Sequence, residues 1–286
     1  WHRPTAGAAM MAAAPRLAAK GMAMKWGLVR RGVPIHYAAR LTGIDCDARG
    51  LIAHFTHRDP KSAEVDAVLM NDGFYPSNEI LRLLGCTMDW DGRFHQLRPR
   101  RTPDCATTAE GVYAVGDCCG LGGAPAAVAE GEIAGAAAAR RLGFPADPPA
   151  AAVRNLARAR RFQDALWRTY ARPLLEAQDL PPQTLLCRCE EVSVGALNDA
   201  LAAAPGDIGA VKRATRIGMG RCQGRYCGPA LAALMAARTN QPMDERAFFA
   251  PRPPIKPVPI SCLLAADGAI PLPAEAQATV RETEPG

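Results

Sequence analysis

Four cysteines in the second half of the chain have the spacing of metal ligands. One residue separates Cys187 from Cys189, four separate Cys222 from Cys227, and residues 190–221 lie between the two pairs. Cysteines two apart on an extended backbone point the same way, and a helix that begins at Cys227 would favour its thiolate. Four thiolates can hold either zinc or a [2Fe–2S] cluster. The Cys-x-Cys pair favours the cluster, because zinc sites usually use Cys-x₂₋₄-Cys pairs.

The charges around these cysteines also suit an iron–sulfur centre. An oxidised [2Fe–2S] cluster with four thiolates carries net negative charge, which basic neighbours would balance. The basic residues near the cysteines in sequence are Arg188, Lys212, Arg213, Arg216, Arg221 and Arg225. Charge decides little by itself, so zinc and four unrelated buried cysteines stay open as alternatives.

A second candidate site begins where a short apolar run ends at a Gly-Asp pair. Residues 112–115 have the composition of a buried strand, and further glycines precede a small-residue helix predicted over 124–142. Such a turn lets a ligand approach the backbone, and the carboxylate can accept hydrogen bonds from sugar-type hydroxyls. The helix N-terminus then adds partial positive charge. The alternative is a turn that binds nothing. The candidate cofactor-binding residues are Gly116, Asp117, Gly122, Gly123 and Ala124.

This segment resembles a known flavin-binding motif. Residues 108–117 (TAEGVYAVGD) are similar to the second FAD-contacting motif of flavoproteins with two dinucleotide-binding domains. The resemblance implies that Asp117 contacts the ribityl chain of FAD. Residues 67–76 (AVLMNDGFYP) resemble the return from that family's inserted NAD(P)-type domain. The G-x-G-x-x-G fingerprint is absent, so we expect the phosphate-binding loop to lie before residue 1 and this chain alone to bind FAD weakly.

The cysteine region resembles the bacterioferritin-associated-ferredoxin (BFD-like) type of [2Fe–2S] domain. The matching segments are 187–191 (CRCEE), 218–224 (GMGRCQG) and 227–228 (CG), within residues 184–238. In that family a small helical unit holds the cluster through four cysteines. The resemblance therefore implies that the cluster ligands are Cys187, Cys189, Cys222 and Cys227. The last pair has the longer separation found in flavoprotein subunits that carry this domain at their C-terminus.

The order of the two motifs resembles the larger subunit of heteromeric amino-acid dehydrogenases. That group comprises opine (octopine and nopaline), proline and hydroxyproline dehydrogenases and the related hydrogen cyanide synthase subunit. The resemblance implies a hetero-oligomer in which an FAD-containing partner subunit oxidises a C–N bond. The subunit resembled here would relay electrons through FAD and the [2Fe–2S] cluster to an acceptor, with NAD(P) as a further candidate cofactor.

Two alternatives to this function stay open. One is a flavoprotein similar to anaerobic glycerol-3-phosphate dehydrogenase or nitrite reductase, which can carry a related cluster domain. The other belongs to a different class, a zinc-stabilised interaction module on a ligand-free α/β scaffold.

The strands and helices predicted around these residues alternate along the chain, which indicates an α/β fold. We predict the C-terminal part of a two-dinucleotide-binding-domain flavoprotein fold, followed by a small all-helical [2Fe–2S] domain. The predicted divisions are a partial FAD/NAD(P)-binding oxidoreductase domain (1–145), a linker with one helix (146–182), the BFD-like domain (183–240) and a Pro-rich tail (241–286).

Local patterns predict individual helices and strands within these divisions. In the first, we predict helices over 17–29 and 78–84 and strands over 35–37, 50–56 and 67–70. In the second half, Ser193 and Asp207 are predicted helix N-caps, and a third helix starts near Cys227.

Composition excludes several classes of protein. The 286 residues are 49% hydrophobic and 22% charged, which is typical of a folded globular chain. The net charge of +6 is dispersed and aromatic residues make up 6%, so we expect no nucleic-acid partner. Glu130 and Glu132 interrupt the longest charge-poor stretch, so no membrane span is predicted. Without a signal segment we expect a cytoplasmic protein, and a chain that starts at Trp1 suggests a longer original.

The remaining cysteines and the histidines carry no predicted chemistry. We expect six cysteines to serve in packing: Cys46, Cys86, Cys105, Cys118, Cys119 and Cys262. Five histidines are scattered along the chain, and no set of them predicts a catalytic residue: His2, His36, His54, His57 and His95.

Overall fold

The computed structural model describes residues 4–37, 39–47, 50–57, 59–71, 73–170 and 180–265. Its elements in chain order are α1 (Pro4–Ala13), α2 (Pro15–Arg30), β1 (Arg40–Asp47), β2 (Gly50–His57), β3 (Asp59–Val65), α3 (Glu79–Leu83), β4 (Met88–Asp91), β5 (Gln96–Pro99), α4 (Ala124–Arg141), α5 (Ala150–Tyr170), β6 (Leu185–Cys187), β7 (Val192–Ser193), α6 (Val194–Ala203), α7 (Ile208–Thr215), α8 (Cys227–Thr239) and α9 (Ile260–Ala265). Short 3₁₀ turns occupy Gly116–Cys119 and Glu245–Ala247. This mixture of helices and strands confirms the predicted α/β class.

The chain divides into two compact units. The first takes in the described residues within Trp1–Asn78, Gly85–Glu176 and Met243–Glu245. The second takes in those within Glu79–Leu84, Ala177–Pro242 and Arg246–Gly286. The described part of the Pro-rich segment after residue 245 therefore clusters with the cysteine region.

The sheets of the first unit are antiparallel. β1, β2 and β3 pair in that order, and β4 pairs with β5. β2 confirms the strand predicted over 50–56. The predictions over 35–37 and 67–70 were wrong, because neither segment is part of a strand and Leu69 is 93% exposed. The strand–helix alternation read from the sequence implied layered α/β packing, yet the sheets in the described residues are all antiparallel.

The apolar run before Gly116 has an extended backbone but little strand pairing. It makes a single antiparallel bridge, between Tyr113 and Ala106. The strand predicted over 112–115 is therefore reduced to one bridge, because a strand needs a neighbour along its length. The helix that follows is confirmed as α4, and its small-residue face packs on α5. The shared core consists of Ala126, Ala129, Ile133, Ala152 and Leu156.

The second unit contains the three helices that the sequence predicted in this region, but β6 and β7 pair as a two-stranded antiparallel sheet, so the prediction of an all-helical unit was wrong. The Ser193 hydroxyl accepts a hydrogen bond from the Ala196 backbone N–H at 3.2 Å, and the Asp207 carboxylate accepts one from Gly209 at 2.7 Å. These caps satisfy backbone donors that the first turn of a helix leaves unpaired. The fully buried core side chains are Leu197, Val211, Ile217, Leu231 and Leu234.

The packing prediction holds for four of the six remaining cysteines. Cys86, Cys105 and Cys119 are buried and Cys118 is partly buried. Cys46 on the edge strand β1 and Cys262 on α9 are exposed, so the prediction was wrong for these two, whose positions face solvent.

None of the helices in the described residues combines the length and the apolar character that a membrane span requires.

Candidate functional site

The fold of the second unit places the four predicted metal-ligand cysteines in two pairs, each of which joins a cysteine of the first motif to one of the second. Cys187 ends β6 and Cys227 begins α8, and both are buried, whereas Cys189 is exposed and Cys222 is half-buried. The Cys189 and Cys222 sulfurs lie 3.7 Å apart, and the Cys227 thiol interacts with that of Cys187. Electrostatic interactions also join the two pairs. One is between the thiols of Cys222 and Cys227, and the other is between those of Cys187 and Cys189.

The surroundings of Cys222, Cys189 and Cys227 shift the pKa values of their thiols. Burial raises the pKa of the Cys222 thiol, whereas hydrogen bonds from the N–H groups of residues 224–226 and from Cys189 lower it, and the net effect is a lowered pKa. Donating its hydrogen bond to Cys222 raises the pKa of Cys189. Burial, then the Cys187 thiol, raises the pKa of Cys227 to about 12. Metal binding here would therefore release protons from Cys189 and Cys227.

The chemistry of the four donors, rather than their arrangement, suits a tetrathiolate centre. Among the residues that the structure describes, no group of three or more His, Cys, Asp or Glu side chains has metal-binding geometry, so the thiols stand as two adjoining pairs. All four donors are sulfur, and N–H groups directed at a ligand sulfur are a feature that tunes iron–sulfur centres. The same four thiols would also suit zinc.

Charged side chains surround these pairs. Arg188 and Arg221 are exposed beside the cysteines. The Arg216 Nε lies 2.9 Å from Glu190 Oε2, and the Arg225 Nε lies 3.2 Å from a carboxylate oxygen of Glu79. Carboxylates therefore balance the charges of Arg216 and Arg225, which reduces the positive charge that the sequence predicted for a negatively charged centre.

Gly220 leaves room for the exposed cysteine. A Cβ at this position would overlap the Cβ of Cys189 and would lie 3.2 Å from a carboxylate oxygen of Glu190. Any side chain at residue 220 must therefore push Cys189 away from Cys222.

Replacing Gly220 with alanine is expected to weaken metal binding by about 10–100-fold, the usual cost of disturbing groups that orient ligands. Titration of the metal-free chain with Zn²⁺ or Co²⁺ measures this. The matched control is Gly131→Ala in α4, where a Cβ would meet nothing within 4 Å. Equal affinity in the Gly220 variant and the wild type would contradict the prediction.

The predicted flavin-contacting residues lie in one turn of the first unit. Asp117 is exposed, and its Oδ1 accepts hydrogen bonds from the backbone N–H groups of Gly122 and Gly123, both at 3.1 Å. No hydrogen bond to its Oδ2 is found within the described ranges. Gly116 and Gly123 have φ of +75° and +77°, which favours glycine. Ala124 is the exposed first residue of α4. An exposed carboxylate beside a helix N-terminus fits the ribityl segment of FAD.

A buried carboxylate that the sequence prediction missed holds this turn in place. Glu130 is 4% exposed, and its Oε2 accepts a hydrogen bond from the Gly116 backbone N–H at 2.8 Å. Its Oε1 binds Arg101 at 2.8 Å and Arg160 at 3.1 Å. Arg101 also donates to the Ala114 carbonyl at 2.8 Å. Burial raises the pKa of Glu130, but these donors outweigh it and hold the pKa below its ordinary value. The available signal was a pair of glutamates, Glu130 and Glu132, in an otherwise Ala/Gly-rich helix.

The loop between Asp117 and α4 contacts Arg98 at one residue and Trp167 at the next. A Cβ at Gly120 would lie 2.6 Å from the Arg98 Nε, and Gly120 has φ of +114°, so only glycine fits. The Trp167 indole N–H donates to the Leu121 carbonyl at 3.4 Å. The Phe94 ring lies 5.6 Å from that of Trp167 and 5.0 Å from the Arg98 guanidinium. These contacts fix the path of the loop that precedes the helix.

Two parts of the chain match known protein families. Residues 7–131 match the family described as pyridine nucleotide-disulphide oxidoreductase. Residues 182–267 match the sarcosine oxidase A3 domain. The second match covers all four cysteines and continues beyond α8 through the described part of the C-terminal segment.

Homologues among curated proteins include subunits of two named oxidoreductases. An opine oxidase subunit of Rhizobium meliloti (strain 1021) is 35% identical over 263 residues, which cover 88% of this chain and 55% of that protein. Hydrogen cyanide synthase subunit HcnB of Pseudomonas aeruginosa is 26% identical over 265 residues, which cover 86% and 56%. The chain thus spans about half the length of the curated relatives it matches.

A solved structure shares the fold. The crystal structure of L-proline dehydrogenase from P. horikoshii superposes with a TM-score of 0.63 at 20% identity, covering 84% of this chain and 47% of that one. At this identity the likeness shows the fold alone. The family matches and homologues together support an FAD-dependent oxidoreductase.

Proposed function

We propose that this chain is the electron-relaying part of an FAD-dependent oxidoreductase subunit. In the complex, a partner subunit that also contains FAD oxidises the C–N bond of an amino acid or opine. Electrons then pass through flavin and a [2Fe–2S] cluster of the present chain to an acceptor. The observation that carries the proposal is the pairing of Cys189 with Cys222 and of Cys187 with Cys227 in a chain whose other part is homologous to flavoproteins.

The turn of the first unit would hold part of the flavin. The carboxylate of Asp117 would accept hydrogen bonds from the ribityl hydroxyls, while Gly116, Gly122 and Gly123 keep the backbone close to the cofactor. The start of α4 at Ala124 would direct its partial positive charge toward the ring system. Bound FAD would supply hydride and single-electron chemistry. The protein's part is to position the cofactor and exclude competing reactions.

The cysteine loop would hold the cluster, which when bound transfers one electron at a time. Cys187, Cys189, Cys222 and Cys227 would be its ligands. The N–H groups of residues 224–226 would stabilise the reduced form by donating to the Cys222 sulfur. Because Cys189 is exposed, the cluster would lie near the protein surface on that side, where a redox partner can approach.

The partners follow from the same proposal. The complex is a cytoplasmic hetero-oligomer in which this chain meets an FAD-containing, substrate-oxidising subunit, and its electrons leave to a separate acceptor. Both curated relatives are named as subunits, which supports this assembly. NAD(P) is a further candidate cofactor through the match over residues 7–131.

Metal and flavin analysis of the anaerobically purified protein tests this proposal. We expect about two irons and two acid-labile sulfides per chain and no zinc, as a [2Fe–2S] centre requires. In the complex that contains this chain, addition of an amino acid or opine should reduce the flavin and then the cluster, followed by visible and electron paramagnetic resonance spectra. Stoichiometric zinc without colour would identify the interaction module, and reduction by glycerol 3-phosphate alone would identify the related dehydrogenase.

A further inference from the structure

The ring of Phe249 packs directly on the backbone of the cysteine loop. A Cβ at Gly224 would lie 2.5 Å from the Phe249 Cδ2, and a Cβ at Gly218 would lie 2.6 Å from its Cζ. At Gly228, beside the last cysteine, the corresponding distance to Cδ2 is 3.7 Å. The ring thus touches the loop on both sides of Cys222 and at the start of α8.

This contact explains the glycines that the motif requires. Gly218 and Gly224 have φ of +78° and +81°, a conformation that L-residues rarely adopt. Their missing side chains also leave the space that the Phe249 ring occupies. The glycine spacing in the loop is therefore matched to a residue of the C-terminal segment.

Further contacts hold this segment against the second unit. We call residues 246–257 the C-terminal strap. The Lys212 ammonium lies 5.1 Å from the centre of the Phe249 ring. Phe248 is buried and its ring lies 5.9 Å from the Arg82 guanidinium. Arg225 donates both to the Ile255 carbonyl and, at 3.2 Å, to the Cys222 carbonyl. One guanidinium thus links the strap to the loop that carries Cys222.

We propose that Phe249 is a positioning residue for the four-cysteine site and that the strap closes the cysteine loop. The inference rests on the proposed function only in taking this loop to be the metal-binding loop. By filling the space over Gly218 and Gly224, the ring holds the backbone on both sides of Cys222 in place. It also keeps water from that side of the loop. Hydrogen bonds to ligand sulfurs and solvent exposure both govern the stability and potential of an iron–sulfur centre.

The first test needs no bound metal. In the metal-free 286-residue chain, the alkylation rates of Cys222 and Cys227 by iodoacetamide are measured by peptide mass spectrometry. Phe249→Ala should raise both rates at least about tenfold, because loss of a packed aromatic side chain lowers the free energy of local opening. Phe249→Leu, which keeps part of the packing, should give intermediate rates. Tyr226→Ala is the matched control, since this aromatic residue of the same loop is 88% exposed.

The second test uses the metal-loaded protein. We expect the iron of the Phe249→Ala protein to pass to EDTA at least about tenfold faster than wild-type iron, with a changed visible circular dichroism spectrum, because the shielding groups are displaced. If the wild type holds no iron, the proposed function fails while the alkylation rates still decide the role of Phe249. Wild-type alkylation rates in a folded Phe249→Ala protein would overturn the inference. If that variant does not fold, wild-type rates in Phe249→Leu would do so.

Discussion

Replacing Cys222 with serine is expected to remove the iron and acid-labile sulfide completely while leaving the flavin content of the complex unchanged. The Cys222 sulfur lies 3.7 Å from that of Cys189 and receives hydrogen bonds from the backbone N–H groups of residues 224–226, which lower its pKa. Serine keeps the shape but replaces the soft thiolate that iron–sulfur clusters need with a weakly acidic hydroxyl. Iron, sulfide and flavin per chain, together with the visible spectrum, measure the effect.

The matched control for this substitution is Cys262→Ser. Cys262 also belongs to the second unit, but it is exposed on α9 and makes no contact with the four cysteines in the described residues. Its iron content should equal that of the wild type. Full iron content in the Cys222 variant, or loss of flavin with iron retained, would show that the two sites have been assigned wrongly.

The Glu130→Gln substitution is expected to destabilise the first unit by about 3 kcal/mol. Removing one partner of a buried ion pair leaves the other charge uncompensated. Here that partner is Arg101, which is also largely buried and stays fixed by its bond to the Ala114 carbonyl. The Gly116 turn would lose a charge-assisted hydrogen bond at the same time. Urea unfolding followed by tryptophan fluorescence reports this unit, since all four tryptophans lie within its ranges.

Glu132→Gln is the matched control, because Glu132 lies on the same helix and is exposed. Its stability should stay within about 0.5 kcal/mol of the wild type, as for most surface substitutions. If Glu130→Gln unfolded at the same urea concentration as this control, the buried network would not contribute to stability.

The pH dependence of stability gives an independent measure of the same network. The pKa of Glu130 is lowered in the folded state, so its contribution is fully present above the ordinary glutamate pKa of about 4.3. The contribution is lost as the pH falls through the lowered pKa. Wild-type stability should therefore decrease across this acidic range more steeply than that of Glu130→Gln, which has no carboxyl group to protonate at this position.

Helix boundaries were predictable where a local signal marks them. Ser193 and Asp207 cap the helices that follow them, because a short polar side chain at that position can reach backbone donors one turn ahead. Strands were less predictable. The runs over 35–37 and 67–70 lie outside the strands of the structure, because strand pairing depends on residues elsewhere in the chain.

The candidate sites, like the helices and strands, were predictable only where local sequence defines them. The sequence alone determined which residues could carry chemistry, namely the four cysteines and the Gly116–Ala124 turn, because type and short-range spacing define a donor set or a turn. Only the tertiary structure decided that Glu130 and Arg101 hold the turn and that Phe249 fills the space over the cysteine loop. These contacts join residues far apart along the chain, and which distant side chains meet is fixed by packing of the whole unit rather than by local conformational preference.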